Sequence, residues 1–189
     1  MKTLVIVTLS KTSELPAVRA LSTKFGAALR IVTPLALDFA PEGTNSVWKV
    51  ADTNKAVVEW TKRFLRQALA EPFDVLVKVD PDTVFKGDLP AMPDCDVAGD
   101  FRKAELGWVW LGACQYYRRS AIEKILADSH YIGFCMWQDI ALARAVVRTG
   151  LRCYNMPEID GWGEDPSAVV THLAKTSIPR MPPGLIALA

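Results

Sequence analysis

Apolar and polar residues change rhythm along this chain in a way that separates strands from helices. Thr3 to Leu9 is an apolar, β-branched run, the pattern of a strand buried on both faces. Ser13 to Phe25 switches to helical spacing, with Leu15, Val18, Leu21 and Phe25 on one stripe and Pro16 in the first turn, where proline is tolerated. Gly26 closes that helix, and Leu29 to Thr33 reads as a second strand. A loop rich in Pro, Gly and Asn comes next, from Pro34 to about Ser46. Ala51 to Ala70 gives the clearest helix, with Val57, Trp60, Phe64, Leu65 and Leu69 as its apolar stripe. Phe73 to Val79 is the next strand, apolar apart from Asp74 and Lys78.

The second half is less regular. Asp96 to Phe101 and Trp108 to Tyr117 read as strands, Ser120 to Ala127 and Asp139 to Thr149 as helices, and Leu151 to Asn155 as a short strand. From Pro157 onward, prolines and glycines predict mostly loop, with a short helix around Ser167 to Leu173. Strands alternating with helices predict an α/β fold, Rossmann-like, with a central, mainly parallel sheet flanked by helices. At 189 residues, the chain fits a single domain spanning 1–189. Ligands of such sheets bind beyond the carboxyl ends of the strands, which directs attention to the residues just after Val79.

Composition narrows the classes. Half of the residues are hydrophobic, as in a globular protein, and a net charge of +1 gives no global attraction to nucleic acid or anionic lipid. No stretch approaches the roughly 20 apolar residues of a membrane span. The apolar run after Met1-Lys2-Thr3 is too short for a signal peptide, and Ser10 to Glu14 offers no small-residue cleavage site. Cys95, Cys114, Cys135 and Cys153 lie about twenty residues apart with no C-x-x-C pair, so the expectation is reduced core thiols in a cytoplasmic protein.

Asp80-Pro81-Asp82 stands where the strand Phe73 to Val79 runs out. Two carboxylates two residues apart can face one hard cation if the backbone turns there, and such a cation can neutralise a departing diphosphate. The alternative is a polar turn capping a strand end. A second D-x-D, Asp94-Cys95-Asp96, lies between prolines and precedes a strand instead of following one, so it reads as a turn. His130 has no motif around it. Asp139 can be read as a carboxylate at a helix N-terminus, where the macrodipole favours it. Trp108 and Trp110 share one face of their strand, and Trp137 and Trp162 fall near the other candidates; aromatic faces suit sugar rings and bases as well as a core. Arg102, Lys103, Arg118 and Arg119 flank the aromatic strand, as solvated charge or as ligands of a phosphate-bearing acceptor.

The segment Val77-Lys78-Val79-Asp80-Pro81-Asp82-Thr83-Val84-Phe85 resembles the strand and D-x-D motif of GT-A glycosyltransferases. Later features fall in that family's order. Trp110-Leu111-Gly112-Ala113-Cys114 with Arg118-Arg119-Ser120 resembles the glycine-containing acceptor-side segment. Gln138-Asp139-Ile140 resembles the acidic motif at a helix start, and His172, with Lys175 after it, resembles the C-terminal histidine of the metal site. Proline inside D-x-D is unusual for the family, and Gln138 stands where inverting members often carry an acid.

The resemblance implies a GT-A fold with residues 1–90 binding a nucleotide sugar and 91–189 forming the acceptor side. It implies a metal-dependent glycosyltransferase moving a sugar from a nucleoside-diphosphate sugar to a hydroxyl, with Mn²⁺ or Mg²⁺ held by Asp80, Asp82 and His172. Asp139 would be the general base of an inverting transfer; retaining members carry a similar Gln-Asp without using it so, which leaves the stereochemistry open. Ser10, Lys11, Thr12, Lys55, Asp80 and Lys175 would contact the nucleotide sugar. The acceptor would be a soluble glycan, a protein, a small molecule or a modified DNA base. Two rival readings are a nucleotidyltransferase, which usually shows a Gly-rich basic loop after the first strand, and a noncatalytic nucleotide- or sugar-binding module.

Overall fold

The computed structural model describes residues 1–42, 46–49, 57–103, 109–128, 138–160, 165, 167–172 and 180–186, with backbone alone at 49, 57–60, 109–110, 138–140 and 172. Its elements are β1 (Thr3–Thr8), α1 (Leu15–Phe25), β2 (Leu29–Thr33), β3 (Val47–Lys49), α2 (Val57–Leu69), β4 (Val75–Val79), β5 (Thr83–Phe85), β6 (Val97–Lys103), β7 (Val109–Arg118), α3 (Arg119–Ala127), α4 (Gln138–Arg148), β8 (Cys153–Asn155), β9 (Ile159–Asp160), β10 (Val170–His172) and β11 (Gly184–Ile186). The protein is a mixed α/β fold with a large, mainly parallel central sheet flanked by helices. Among the described residues that sheet has eight strands in the order β11-β8-β6-β7-β4-β1-β2-β3, beside a three-stranded sheet β5-β10-β9.

Strands β3, β2, β1 and β4 are parallel, as are β6 and β8; β7 runs antiparallel between β4 and β6, and β11 antiparallel to β8. Side-chain parity sends the two faces of the sheet into two cores. Leu4, Ile6, Leu76, Leu111 and Tyr117 meet α2, α3 and α4 through Phe64, Leu65, Ile122, Ile125, Leu142 and Val146. Val5, Val7, Val77, Val79, Cys114 and Tyr116 meet α1 through Val18 and Leu21, and the small sheet through Ile159 and Val170. With both faces covered, the interiors of β1 and β4 are apolar apart from Lys78.

Several expectations shift. The helix drawn from Ser13 begins as a single 3-10 turn, Thr12–Glu14, before α1 takes over at Leu15. Val170–His172 is a strand, not part of a short helix around Ser167: it has a partner on each side, and that tertiary pairing overrides a weak local signal. The strands Val47–Lys49, Thr83–Phe85, Ile159–Asp160 and Gly184–Ile186 are absent from the sequence reading, being too short to show a period. Residues 51–56 of the expected long helix lie outside the described residues. Cys95, Cys114 and Cys153 are free and buried; burial pushes the Cys95 thiol up to about 11, and it raises the other two as well. Among the described residues no helix is long and apolar enough to cross a membrane.

One irregularity positions the site. The register between β6 and β7 jumps from Gly99–Gln115 to Phe101–Leu111, so β7 carries extra residues over Gly112 to Cys114. The Gln115 amide nitrogen donates to Leu111 O (3.1 Å) and Gly112 O (2.9 Å), bracing the bulge from within β7. Ala113 O, inside the bulge, accepts the Asp80 N–H at 2.9 Å. Gly99 permits this close approach, because a Cβ there would lie 2.9 Å from both Cys114 O and the Leu111 side chain. Gly99→Ala is therefore expected to cost about 1–3 kcal/mol by overpacking, read as a lower midpoint in urea denaturation; an unchanged midpoint would contradict the close approach.

Candidate functional site

The central strand β4 delivers Asp80 at its carboxyl end. Val75 to Val79 are buried between β1 and β7, and the chain then reverses: Thr83 N–H donates to Asp80 O at 3.1 Å. Asp80-Pro81-Asp82-Thr83 is thus a hydrogen-bonded turn with proline at its second position, where the ring pre-sets the backbone. The unusual proline has a structural reason. Asp80 and Asp82 are both half-buried, and Lys78, 3% exposed, forms an ion pair with Asp80 Oδ1.

The chain leaving this turn becomes β5, which pairs antiparallel with β10: Thr83 stands opposite His172, Val84 opposite Thr171 and Phe85 opposite Val170. Backbone pairing therefore places His172 one strand spacing, about 5 Å between Cα atoms, from the residue that follows Asp82. Thr83 Oγ1 is buried and, among the described residues, has no hydrogen-bond partner. A cavity of about 340 Å³ opens between α1 and the turn, with Lys24 on one wall and Asp82 on the other.

The other candidates divide. Ser10, Lys11 and Thr12 lie at the carboxyl end of β1, beside β4, and are exposed. The Ser10 and Lys11 N–H groups both donate to Glu14 Oε2 at 3.2 Å, so a carboxylate of the chain already occupies them. Asp139 lies in the first turn of α4. That helix packs on β7 and passes through Gly150 (φ 63°) into β8, which points the same way as β4. A helix entering β8 at its start, 11 residues and so about 16 Å long, begins toward the carboxyl end of β4. Topology thus brings the backbone of Asp139 toward the Asp80 end of the sheet. Lys55, Lys175, His130, Trp108, Trp137 and Trp162 lie outside the described residues.

Two readings of basic residues are corrected. Arg118 and Arg119 lie at the opposite end of β7, where Arg118 pairs in register with Val75. Their guanidiniums bind main-chain carbonyls, Pro93 (3.2 Å) and Cys95 (3.3 Å) for Arg118 and Glu71 (2.8 Å) for Arg119, so they tie loops and do not suit an acceptor phosphate. Arg102 is neither solvated nor available: it is 1% exposed. The second acidic pair, Asp94 and Asp96, engages Arg152 at the amino end of β6.

Arg102 belongs to a buried charge network the sequence did not reveal. Its Nε is 3.0 Å from Asp100 Oδ2 and its Nη2 is 3.0 Å from Asp160 Oδ1. Arg180 Nε lies 3.1 Å from Asp100 Oδ1, close enough to pair electrostatically though not aligned for a hydrogen bond. Burial raises the Asp100 pKa, and the two arginines offset only part of that rise. Asp100 and Arg102 share strand parity, the one local signal; Asp160 and Arg180 arrive from far along the chain. Asp160 sits in β9, in register with Thr171, so the network holds the small sheet that carries His172.

The oxygen donors of Asp80 and Asp82, with the orphaned Thr83 hydroxyl beside them, suit a hard divalent cation in kind. Among the described residues no three His, Cys, Asp or Glu side chains converge on one point. What the fold and site define is a mixed α/β protein whose candidate site lies at the carboxyl ends of β1 and β4. No protein-family model matches the chain, and no curated protein matches it. Among solved structures it is similar to a "putative nucleotide-diphospho-sugar transferase" from Desulfovibrio desulfuricans G20, with 12% identity, 82% of this chain and 80% of that chain covered, and a TM-score of 0.47.

Removing the cation from the network should be costly. Arg102→Met removes the guanidinium that pairs with both buried carboxylates, Asp100 and Asp160, an expected loss of about 3–5 kcal/mol. Urea denaturation measures it, and a loss below about 1 kcal/mol, the scale of an exposed pair, would contradict the buried assignment.

Proposed function

We propose that this protein is a glycosyltransferase that moves a sugar from a nucleoside-diphosphate sugar to an acceptor hydroxyl. The observation that supports this reading most is the β5–β10 pairing, which brings His172 beside the turn Asp80-Pro81-Asp82 at the end of a buried central strand. Carboxylates and a histidine gathered where an α/β sheet opens to its ligands suit a metal–diphosphate site. Asp82, Asp80 and His172 would hold Mn²⁺ or Mg²⁺, which when bound supplies positive charge to the leaving diphosphate.

The remaining chemistry falls to the chain. Residues 1–90 would bind the donor, with Ser10, Lys11, Thr12, Lys55 and Lys175 about the nucleotide, and residues 91–189 would face the acceptor. Asp139, at the start of α4, would take the acceptor hydroxyl's proton as its oxygen bonds to the anomeric carbon and the bond to diphosphate breaks. A soluble glycan, a protein, a small molecule or a modified DNA base is the acceptor class, and buried free thiols suit a cytoplasmic setting. The nucleotidyltransferase reading loses ground at the first loop, because Glu14 already occupies the Ser10 and Lys11 amides that a phosphate would need.

Calorimetry with UDP and GDP tests the site. Wild type is expected to bind one of them in Mn²⁺ and to lose most of that affinity in EDTA, and Asp82→Ala to lose the metal-dependent part. Equal affinity in Asp82→Ala would overturn the assignment. Asp139→Asn is expected to bind the donor normally and to transfer about 10² to 10⁴ times more slowly. NMR of the product supplies the stereochemistry: retention at the anomeric carbon would remove Asp139 from the role of base.

A further inference from the structure

The small sheet ends at β5, which among the described residues has a strand, β10, on one side alone. The β5–β10 register, with Lys86 N–H donating to Val169 O at 2.9 Å, decides which way each backbone group points. Val84 exchanges its hydrogen bonds with Thr171, and Thr83 and Phe85 turn theirs to the other side. Thr83 N–H is used within the turn, on Asp80 O. Thr83 C=O and both backbone groups of Phe85 remain along the free edge, a template for another strand. The cavity of about 340 Å³ beside α1 follows that edge, because five consecutive residues, Pro81 to Phe85, line it. A cavity over one face of a strand would meet alternate residues instead. Its opposite wall is small and apolar at Ala17 and Ala20, and ends at Lys24.

Lys24 supplies the charge of this groove. Its ammonium lies 5.9 Å from the Phe25 ring centroid and 5.8 Å from that of Phe85, and the two rings meet edge to face. Aromatic faces hold a cation without neutralising it, and no carboxylate pairs with Lys24 among the described residues. Asp82 stands at the other end, so an acidic group is favoured beside Phe85 and disfavoured beside the turn. Val84, 40% exposed, offers an apolar side chain to a neighbour on the strand's other face. We propose that the groove between α1 and β5 binds an extended acidic segment of a protein partner, which adds to the small sheet as a further strand. Residues opposite Thr83 and Phe85 lie two apart and share a face. The acid therefore meets Lys24 opposite Phe85, and the residue two positions away stands beside the turn Asp80-Pro81-Asp82. Backbone pairing gives affinity and Lys24 gives choice. The use of the segment rests on the glycosyltransferase reading, under which it is the acceptor and that residue a serine or threonine; its binding needs neither metal nor nucleotide.

The test titrates blocked pentapeptides, Thr-Val-Glu-Val-Thr and its central Gln and Lys analogues, into isotope-labelled protein in EDTA without nucleotide, followed by amide NMR. The Glu peptide is expected to shift the resonances of Thr83 to Lys86 and of Ala17 to Lys24. It should bind about two- to fivefold more tightly than the Gln peptide, the scale of one exposed ion pair, and the Lys peptide should bind most weakly. Lys24→Gln, an exposed change, should erase the preference for Glu, and Ala20→Trp, which fills the groove, should weaken all three peptides. Methylating the peptide's own amides at alternate positions tests strand addition: one alternate set should abolish binding and the other leave it nearly unchanged. No shift at millimolar Glu peptide, shifts confined to other parts of the protein, equal affinity for Glu and Gln, or equal loss with either methylation pattern would each overturn the proposal. These readings need wild type alone, so a variant that fails to fold does not spare it. Absent UDP and GDP binding would overturn the glycosyltransferase reading and leave the peptide site to be decided by its own titration.

Discussion

The antiparallel pairing of Thr83–Phe85 with Val170–His172 is the constraint on which the candidate site depends. Strand β4 ends in a turn, and a turn alone leaves its carboxylates loosely held. Pairing with β10 fixes where the chain goes next and draws a distant segment of sequence alongside. A sheet of three strands, each two or three residues long, cannot stand alone in water. It leans on the central sheet through Ile159, Val170 and Phe85, and on the buried pair Arg102–Asp160 at the end of β9. Charge burial far from the turn thereby sets the geometry at the turn. Asp160, the partner of Arg102, stands in register with Thr171 of β10, so the ionic pair ties down the strand beside β10.

A second constraint comes from β7. It runs against its neighbours, and its bulge places Ala113 O where Asp80 N–H can reach it. Gly99, without a side chain, lets β6 follow the bulge. The D-x-D turn is therefore held by three strands: β4 behind it, β7 beside it and β10 beyond it. Proline between the two aspartates fits a turn already committed to one direction.

Much of the central sheet was legible in the sequence, because β1, β2 and β4 are largely buried and show as apolar runs broken only by Arg30 and Lys78. Leu29–Thr33 agrees residue for residue with its expectation. The helical stripe of Phe64, Leu65 and Leu69 was equally plain, since one face of α2 packs on the core. The small sheet was not legible: Ile159–Asp160 has two residues and no period to detect, and its pairing joins segments that share no local pattern. Asp80 and Asp82 stand out because a strand ends there. Arg102 looked like surface charge because Asp160, one of the carboxylates that pairs with it, comes from elsewhere in the chain. Lys78 read as a blemish in an apolar strand, where the structure shows it paired with Asp80. His172 and Asp139 were singled out by family resemblance, and register and topology bring their backbones toward the same end of the sheet.

The central claim is that a nucleotide sugar and a divalent metal bind together at the end of β4. A thermal-shift screen of nucleoside-diphosphate sugars, each with Mn²⁺ and with EDTA, tests it most directly, because a ligand that binds the native state alone raises the melting temperature, and does so more the further its concentration exceeds Kd. The account predicts that at least one nucleotide sugar raises the midpoint with Mn²⁺ and loses that shift in EDTA. No shift with any nucleotide sugar, or one that is the same in EDTA, would contradict it.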